Sequence, residues 1–246
     1  MAAKQTVDEN YRLSMQSSQE KPLDKTPPKA IISWSSGKDC AYALYECRRL
    51  GIADIVGVLT TVNEPFDRVA MHGVRRSVLA AQMNALDLPC IEVPLPYPCS
   101  NEIYAELMGE AVAAIKAQGI RHMVFGDLFL EDIRHYREDQ LQAVGMTPLF
   151  PLWERETRAL AEAMIASGLE AHIACVDPKQ LDPEFAGRAF SPDLLDDLPK
   201  DVDPCGENGE FHTLVTGSPI FSSNIDIVPG EVVTRDGFVF ADFKLV

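Results

Sequence analysis

The sequence lacks any apolar run that approaches the roughly 20 residues needed to cross a bilayer, so we predict no membrane-spanning helix. Its first 30 residues also lack the apolar centre of a secretory signal. The chain of 246 residues is 46% hydrophobic and 24% charged, which is ordinary for a soluble globular protein. We therefore expect a cytoplasmic protein with no membrane attachment.

Basic residues are few, with 22 Lys and Arg against 37 Asp and Glu, and the formal net charge is −15. Such a surface repels nucleic acid on average, although a local basic channel stays compatible with it. The six cysteines include no C-x-x-C pair, which argues against a zinc ribbon and a disulfide scaffold. Nucleic acid is therefore not expected as a partner, and reduced thiols in a cytosol fit best.

The first half of the chain alternates strand and helix patterns. Residues 1–28 are polar and are predicted to form a mobile tail, because they bury too little apolar surface to offset the entropy of ordering. Apolar runs then begin at "AIISW", "DIVGVLTTV", "CIEVPLP" and "HMVFGD", with helical spacing between them. This order predicts an α/β domain over 29–145 with an open, doubly wound parallel sheet that is Rossmann-like. Ligands bind such sheets at the carboxyl ends of the strands.

The second half, 146–246, is predicted to form a smaller α/β or α+β portion. It contains a long stretch rich in Pro, Asp and Gly over 178–214, and such stretches are usually functional or disordered. Near the end, Asp236-Gly237 lies between alternating residues and predicts a β-hairpin. The sequence therefore indicates two portions of different construction.

A small-residue loop, "SSGKDC" over 35–40, interrupts the first strand and helix. A strand, a loop and a helix in this order bring backbone N–H groups and the positive end of the helix dipole to the sheet edge, which suits an anion. Ser35 and Ser36 add hydroxyls, Gly37 allows close approach and Lys38 adds a cation. Asp39 could cap the helix or hold Mg²⁺. The alternative is an ordinary strand-to-helix turn.

Neither G-x-G-x-x-G nor G-x-x-x-x-G-K-[ST] is present in this loop. It resembles instead the S-G-G-x-D-S loop of the PP-loop ATP pyrophosphatase superfamily (adenine nucleotide alpha hydrolase-like), whose members cleave ATP between the α and β phosphates. Ser36 replaces the first glycine and removes backbone freedom, while Cys40 replaces the final serine with a weaker donor. The loop alone is only moderately specific.

Two further segments, 125–153 and 203–215, resemble the diphthine–ammonia ligase family of that superfamily, and the resemblance runs from about Ala30 to the carboxyl end. The motif G-E-N-G-E-F-H-T is its most specific part. The resemblance implies a sheet of the HUP type. It also implies an ATP-dependent, AMP-forming amide ligase that uses Mg²⁺, adenylates a carboxylate acceptor and transfers it to ammonia or an ammonia donor.

The resemblance also implies a set of site residues. The positions matched to the loop that holds the β and γ phosphates are Ser35, Ser36, Gly37, Lys38, Asp39 and Cys40. Gly126 and Asp127 match a strand-end pair on the nucleotide side, and Asp39 is the candidate Mg²⁺ ligand. The acceptor-side signature matches Glu207, Asn208, Gly209, Glu210 and His212. Among all these, the candidate catalytic residues are Lys38, Glu207, Glu210 and His212.

Several alternatives stay open from sequence. A PP-loop enzyme that thiolates tRNA would favour a basic surface and paired cysteines, which this chain lacks, and a nucleotide-binding module without chemistry is also compatible. Glu207 could anchor a glycine turn and His212 could be a plain strand histidine. Arg134 and Arg137, three apart on a predicted helix, could jointly meet a phosphate or carboxylate. A homo-oligomer is compatible with the sequence.

Overall fold

The computed structural model describes residues 26–246, so the predicted mobile tail lies outside the described residues except for its last three positions. The strands are β1 (Lys29–Ser33), β2 (Asp54–Asn63), β3 (Arg68–Val69), β4 (Cys90–Leu95), β5 (His122–Val124), β6 (Thr147–Leu149), β7 (Glu170–Val176), β8 (Phe211–Gly217), β9 (Ile227–Arg235) and β10 (Phe238–Leu245). The helices are α1 (Lys38–Leu50), α2 (Arg76–Leu86), α3 (Asn101–Ala117), α4 (Glu131–Ala143), α5 (Thr157–Ala166) and α6 (Pro192–Asp197). Over the described residues, none of these helices has the length and apolar character needed to cross a membrane.

The first sheet is mostly parallel. Strands β4, β2, β1, β5 and β6 pair in that order with parallel partners, and the two-residue β3 pairs antiparallel with the end of β2. A helix lies between each consecutive pair of the parallel strands in the chain, as parallel pairing requires. The predicted Rossmann-like sheet is confirmed. The parallel sheet includes β6, which ends at Leu149, four residues beyond the predicted domain boundary at 145. The position of the domain boundary stays a prediction.

Both faces of the parallel sheet are covered. Along β1, Ala30 and Ile32 lie in one buried apolar cluster, whereas Ile31 lies in a second cluster. The first cluster continues into the second half of the chain, where it includes Leu214 and Phe243. The two halves therefore share one hydrophobic core.

The second sheet is wholly antiparallel, with the strand order β8-β7-β10-β9. Its last two strands form the predicted hairpin, in which Arg235 pairs with Phe238. Asp236 and Gly237 both have positive φ, at 50° and 86°, as a tight two-residue hairpin turn requires. The carboxyl-terminal portion is thus an α+β unit packed against the parallel sheet.

The loop after β1 lies where the two sheets meet. The Ser36 carbonyl accepts hydrogen bonds from the Val215 N–H at 2.9 Å and from the Gln82 side-chain amide at 3.2 Å. The same amide donates to the Val215 carbonyl at 2.8 Å, and Gln82 Oε1 accepts from the indole N–H of Trp34 at 3.0 Å. This buried amide joins β1, α2 and β8, and it fixes the loop against the second sheet.

Candidate active site

The loop turns sharply at Ser36, which has a left-handed φ of 72°. For a residue with a Cβ this conformation costs about 1–2 kcal/mol, which explains why a glycine would be favoured here. The Ser36 side chain is fully buried, and its Oγ has no hydrogen-bond partner among the described residues. The next residue, Gly37, is extended at the N-cap position, and α1 begins at Lys38.

Two glycines allow close packing around the loop. A Cβ on Gly126, which follows β5, would lie 2.7 Å from the carbonyl carbon of Asp39 and 2.9 Å from the Cys40 nitrogen. A Cβ on Gly37 would lie 2.5 Å from Cε1 of His72. Both approaches are shorter than normal contacts, so the start of α1 is held in place by a strand end on one side and a histidine on the other.

Cys40 bonds to the loop itself. Its Sγ donates to the Gly37 carbonyl at 3.0 Å and lies 3.6 Å from the Ser35 hydroxyl. Burial raises the pKa of this thiol to about 11, so it stays neutral. The thiol therefore ties the first turn of α1 to the loop and carries no charge.

Lys38 has a fully buried side chain. Its Nζ lies 3.0 Å from both carboxylate oxygens of Asp39 and donates to the Cys205 carbonyl. The ammonium also lies 5.6 Å and 5.4 Å from the ring centres of Phe190 and Phe211. Burial lowers the pKa of Lys38, but Asp39 and other nearby negative groups outweigh it and leave the pKa above its usual value. Lys38 is therefore a charged link between the loop and the second half.

A cavity of about 430 Å³ lies against the loop. Its lining from the first half of the chain includes Ser35, Asp39, Gly126 and Asp127, and its lining from the second half includes Glu207. Part of the wall is apolar and comes from α3, α4 and the residue after α4; these side chains are Tyr104, Met108, Val112, Leu141 and Val144. The structure thus brings the predicted nucleotide side and the predicted acceptor side to one cavity.

Glu207 is a carboxyl group in this cavity whose pKa is raised. Its Oε1 accepts a hydrogen bond from the Leu128 N–H at 2.7 Å. Burial raises the pKa of Glu207 to about 7, helped by the charges of Asp39 and Asp127 and opposed by the Leu128 hydrogen bond. The cavity therefore contains a carboxyl group that titrates near neutral pH.

Asp127 forms an ion pair with Arg137, with 2.8 Å between Oδ2 and Nε. The Arg137 guanidinium lies 4.4 Å from the ring centre of Phe125. Arg134 points elsewhere and pairs with Glu138 at 2.7 Å. The two arginines therefore have separate partners, and only Arg137 lines the cavity.

The rest of the G-E-N-G-E segment orders a turn. Glu210 is buried, and its Oε1 accepts from the Asp203 N–H at 2.9 Å and from the Asn208 side-chain amide at 3.0 Å. Asp203 Oδ1 in turn accepts from the Glu207 N–H at 3.2 Å, and Gly209 has a φ of 87°. This network holds the backbone from which the Glu207 side chain reaches the cavity.

His212 pairs with a histidine that the sequence analysis missed. The rings of His212 and His72 lie 4.7 Å apart, and Nδ1–H of His72 donates to the Thr213 carbonyl at 2.8 Å. Burial lowers the pKa of His72 to about 3 and that of His212 to about 4, and the charge of Lys38 adds to both shifts. Both rings line the cavity as neutral imidazoles. His72 lies in an irregular segment with no motif around it, so only its packing against Gly37 identifies it.

The cavity presents carboxylates from Asp39, Asp127 and Glu207, but they are not arranged as a metal cage. Among residues 26–246 there is no group of three or more His, Cys, Asp or Glu side chains with metal-binding geometry. Any metal ion here would therefore need ligands from a substrate or from water.

The parallel sheet, the loop at its carboxyl edge and the adjoining cavity define a Rossmann-like α/β protein with a candidate ligand site between its two halves. The chain matches the family described as "Diphthamide synthase C-terminal domain" over residues 156–242. It is 26% identical to a diphthine–ammonia ligase of Bos taurus over 229 residues, covering 84% of this chain and 85% of the relative. The Homo sapiens enzyme of that name is 24% identical over 228 residues, with 84% and 85% covered. That of Rattus norvegicus is 34% identical over 118 residues, with 46% and 44% covered. The chain is thus similar to diphthine–ammonia ligases over most of its length.

Proposed function

We propose that this chain is an ATP-dependent, AMP-forming ligase that activates a carboxylate and joins it to ammonia through a carbon–nitrogen bond. The observation that carries the proposal is the single cavity lined by the loop residue Asp39 and by Glu207. Relatives over most of the chain are named diphthine–ammonia ligases, which supports this reaction class. A diphthine-bearing protein is accordingly the first acceptor to test.

The nucleotide binds against the loop in this proposal. The start of α1 offers the positive end of a helix dipole to the β and γ phosphates. The Lys38 ammonium, held on Asp39, adds positive charge beside the same turn. The apolar wall from α3 and α4, including Tyr104 and Met108, suits the adenine ring.

Asp39 suits a Mg²⁺ ion that is bound together with ATP. Mg²⁺ commonly takes one or two carboxylates plus phosphate oxygens and waters, and so it needs no cage made wholly of protein. Asp39 is partly exposed and lines the cavity, which makes it the residue that would hold the ion. When bound, the ion would stabilise the negative charge that develops on the departing pyrophosphate.

The reaction proceeds in two displacements. A carboxylate oxygen of the acceptor bonds to the α phosphorus of ATP, and the bond to pyrophosphate breaks. Ammonia then bonds to the acyl carbon, the bond to AMP breaks, and the nitrogen loses one proton. We propose Glu207 as the base that takes this proton, because a pKa of about 7 matches the working pH of a general base.

The remaining motif residues have supporting roles in this proposal. A neutral His212, with its pKa lowered to about 4, is a weaker base than Glu207 and orients groups at the cavity wall. Glu210 bonds within its own turn and keeps Glu207 in position.

The products of ATP cleavage test the proposal directly. We expect AMP and pyrophosphate when the protein is incubated with ATP, Mg²⁺, ammonium and the acceptor, with ¹⁸O from a labelled acceptor carboxylate appearing in AMP. Chromatography of the nucleotides and mass spectrometry of AMP make the measurement.

Asp39→Asn serves as the matched variant in that assay, and it should lower the rate and weaken its dependence on Mg²⁺. Release of ADP and phosphate under saturating acceptor would contradict the proposal. A chain that binds ATP but forms no AMP with any acceptor would be a nucleotide-binding module.

A further inference from the structure

The antiparallel sheet has an open edge at β9. Strand β9 is last in the order β8-β7-β10-β9, and over residues 26–246 no strand pairs with its outer side. The opposite edge, β8, is covered, since its Val215 N–H donates to the Ser36 carbonyl at 2.9 Å and its Thr216 carbonyl accepts from the Ile225 N–H at 2.7 Å. An open edge presents unpaired N–H and C=O groups to which another strand can bond.

The open strand is also apolar. Val228, Val232 and Val233 are exposed, and Val232 is 59% exposed. On β10 the residue paired with Val232 is Ala241, which is buried in the shared core. The apolar side of the sheet therefore continues past β10 onto β9, where residues 26–246 leave it uncovered. Exposed apolar surface of this kind marks sites of association between proteins.

Hairpin geometry determines which backbone groups of β9 point outward. A two-residue hairpin closes with a hydrogen-bonded pair at the residues that flank the turn, here Arg235 and Phe238. Hydrogen-bonded and non-hydrogen-bonded pairs alternate from there along the strands. Arg235 and Val233 therefore bond to β10, whereas the N–H and C=O groups of Thr234 and Val232 point to the open side.

A bulge limits how a second strand can pair with β9. The register with β10 shifts between Val232 and Pro229, and Pro229 has no N–H to donate. Antiparallel pairing of β9 with β9 of a second copy uses all the outward groups when the twofold axis passes Val233, because Val232 of each copy then bonds to Thr234 of the other. A register centred on Val232 or on Thr234 would instead bring the bulge or the turn into the ladder.

The same register is complementary in charge. With Val233 on the twofold axis, Glu231 of one copy lies opposite Arg235 of the other, and the pair occurs twice. Both side chains are exposed and free to meet a second copy. Val233 lies opposite itself in a non-hydrogen-bonded pair, in which the Cα atoms are about 4.5 Å apart. Opposite charges and apolar side chains in facing positions stabilise paired strands.

We infer that β9 pairs with β9 of a second copy of this chain and joins two four-stranded sheets into one continuous sheet around a twofold axis. The pairing closes on itself, because the same strand serves in both copies, and so it produces a dimer. A single strand pair is small for a protein interface, and we expect the dimer to dissociate at low micromolar concentration. The inference is independent of the proposed function, since it uses no residue of the candidate active site.

Sedimentation velocity of the full chain across micromolar concentrations tests the pairing, and we expect a shift from monomer to dimer. Glu231→Arg and Arg235→Glu should each weaken the dimer about tenfold, because each converts two ion pairs into like-charge pairs. The double variant makes the facing charges opposite again and should recover the wild-type affinity. Glu106→Arg makes the same change of charge at an exposed position of α3 and should leave the dimer unchanged.

Cross-linking tests the register. Val233→Cys places two thiols opposite each other, within the Cα separation of about 4.4–6.8 Å that a disulfide requires, so oxidised glutathione should link this variant into a dimer. Val232→Cys is more exposed, at 59% against 39% for Val233. Its two copies would lie on a diagonal about 7–8 Å apart, so it should link far more slowly. The wild type gives the background from the six native cysteines.

A monomer at every concentration would overturn the inference, as would equal cross-linking of the two cysteine variants. Assembly beyond a dimer would contradict a pairing that closes on itself. A double charge variant that stays as weak as the single variants, with normal folding by circular dichroism, would show that Glu231 and Arg235 do not face each other. Val233→Cys changes one exposed side chain only, so its result does not depend on how the charge variants fold.

Discussion

At the scale of single residues, the site depends on how burial and neighbours set the charge of each group. Lys38 is buried but stays charged because Asp39 holds its ammonium. Glu207 is half-buried near the carboxylates of Asp39 and Asp127, and its pKa rises to about 7. In the proposed reaction the two groups therefore have different tasks: Lys38 would supply a permanent charge beside the loop, whereas Glu207 would take up and release a proton near neutral pH.

Glu207→Gln should lower amide formation by on the order of 10²-fold or more, the contribution typical of general-base catalysis. ATP-analogue affinity should stay nearly unchanged. In the wild type the rate should rise as the pH increases through about 7, since the active form is the carboxylate, and the variant should lose this rise. The measurement is a pH–rate profile in which the concentration of free ammonia is held constant.

Glu106→Gln is the control for that profile, because Glu106 is an exposed glutamate on α3. It should keep both the rate and the profile of the wild type. A Glu207→Gln enzyme that retains the wild-type rise near pH 7 would show that another group is the base.

At the scale of secondary-structure elements, the sequence predicted the strands and helices that follow a clear period. The alternation from β1 to β5 and the hairpin at Asp236-Gly237 both depend on local patterns, and the structure confirms them. The pairing of Gln82 with Ser36 and Val215 was not predictable, because these residues are far apart in the chain and no local pattern marks a buried amide.

The candidate site was likewise predictable from the sequence only in part. Motifs identified the loop and Glu207, which the structure brings to one cavity. They did not reveal that Lys38 is buried against the second half, nor that Glu210 bonds within its own turn. Those features depend on which surface each side chain meets after folding, and a single sequence does not encode that locally.

Gly126→Ala tests the contact between a strand end and a helix start. The added Cβ would lie 2.7 Å from the Asp39 carbonyl carbon, and the obstacle is backbone that cannot move aside alone. We expect displacement of the loop, a loss of stability of about 1–3 kcal/mol as for other overpacked sites, and a tenfold or larger loss of ATP-analogue affinity. Urea unfolding and an analogue titration measure the two effects.

Gly145→Ala is the matched control for this variant. Gly145 has a φ of 69° and open space around it, so alanine there should cost about 1 kcal/mol of stability without changing nucleotide affinity. Equal effects of the two variants on affinity would mean that the Gly126 contact does not position the loop.

At the scale of the whole molecule, one core and several buried polar groups join the two halves. The shared apolar cluster, the Gln82 amide and the Lys38 ammonium each span both halves. The cavity lies in this junction, so the groups that serve the site also affect folding. His72 is buried there and Glu207 is half-buried, and the effects of their protonation on stability oppose each other when the pH changes.

The pH dependence of stability should reveal this opposition. For His72 the pKa falls from 6.5 to about 3 on folding, so its contribution is full above pH 6.5 and is lost as the pH decreases. For Glu207 the pKa rises from 4.5 to about 7, so its contribution is full below pH 4.5 and is lost as the pH increases. Between pH 4.5 and 6.5 the effect of Glu207 therefore opposes that of His72 and that of His212, whose pKa falls from 6.5 to about 4. Each one changes the free energy of unfolding by at most about 1.4 kcal/mol per pH unit.

We therefore expect opposite slopes from two variants in urea unfolding between pH 4.5 and 6.5. Relative to the wild type, His72→Gln should lose stability as the pH rises, because the stability that a neutral, buried His72 gains with increasing pH is removed. Glu207→Gln should instead lose stability relative to the wild type as the pH falls, because the effects of His72 and His212 then stand unopposed by that of Glu207. His135→Gln, an exposed helix residue, should follow the wild-type slope. Parallel slopes in all four proteins would mean that neither buried group keeps its shifted pKa, and the protonation states assigned to the cavity would then be wrong.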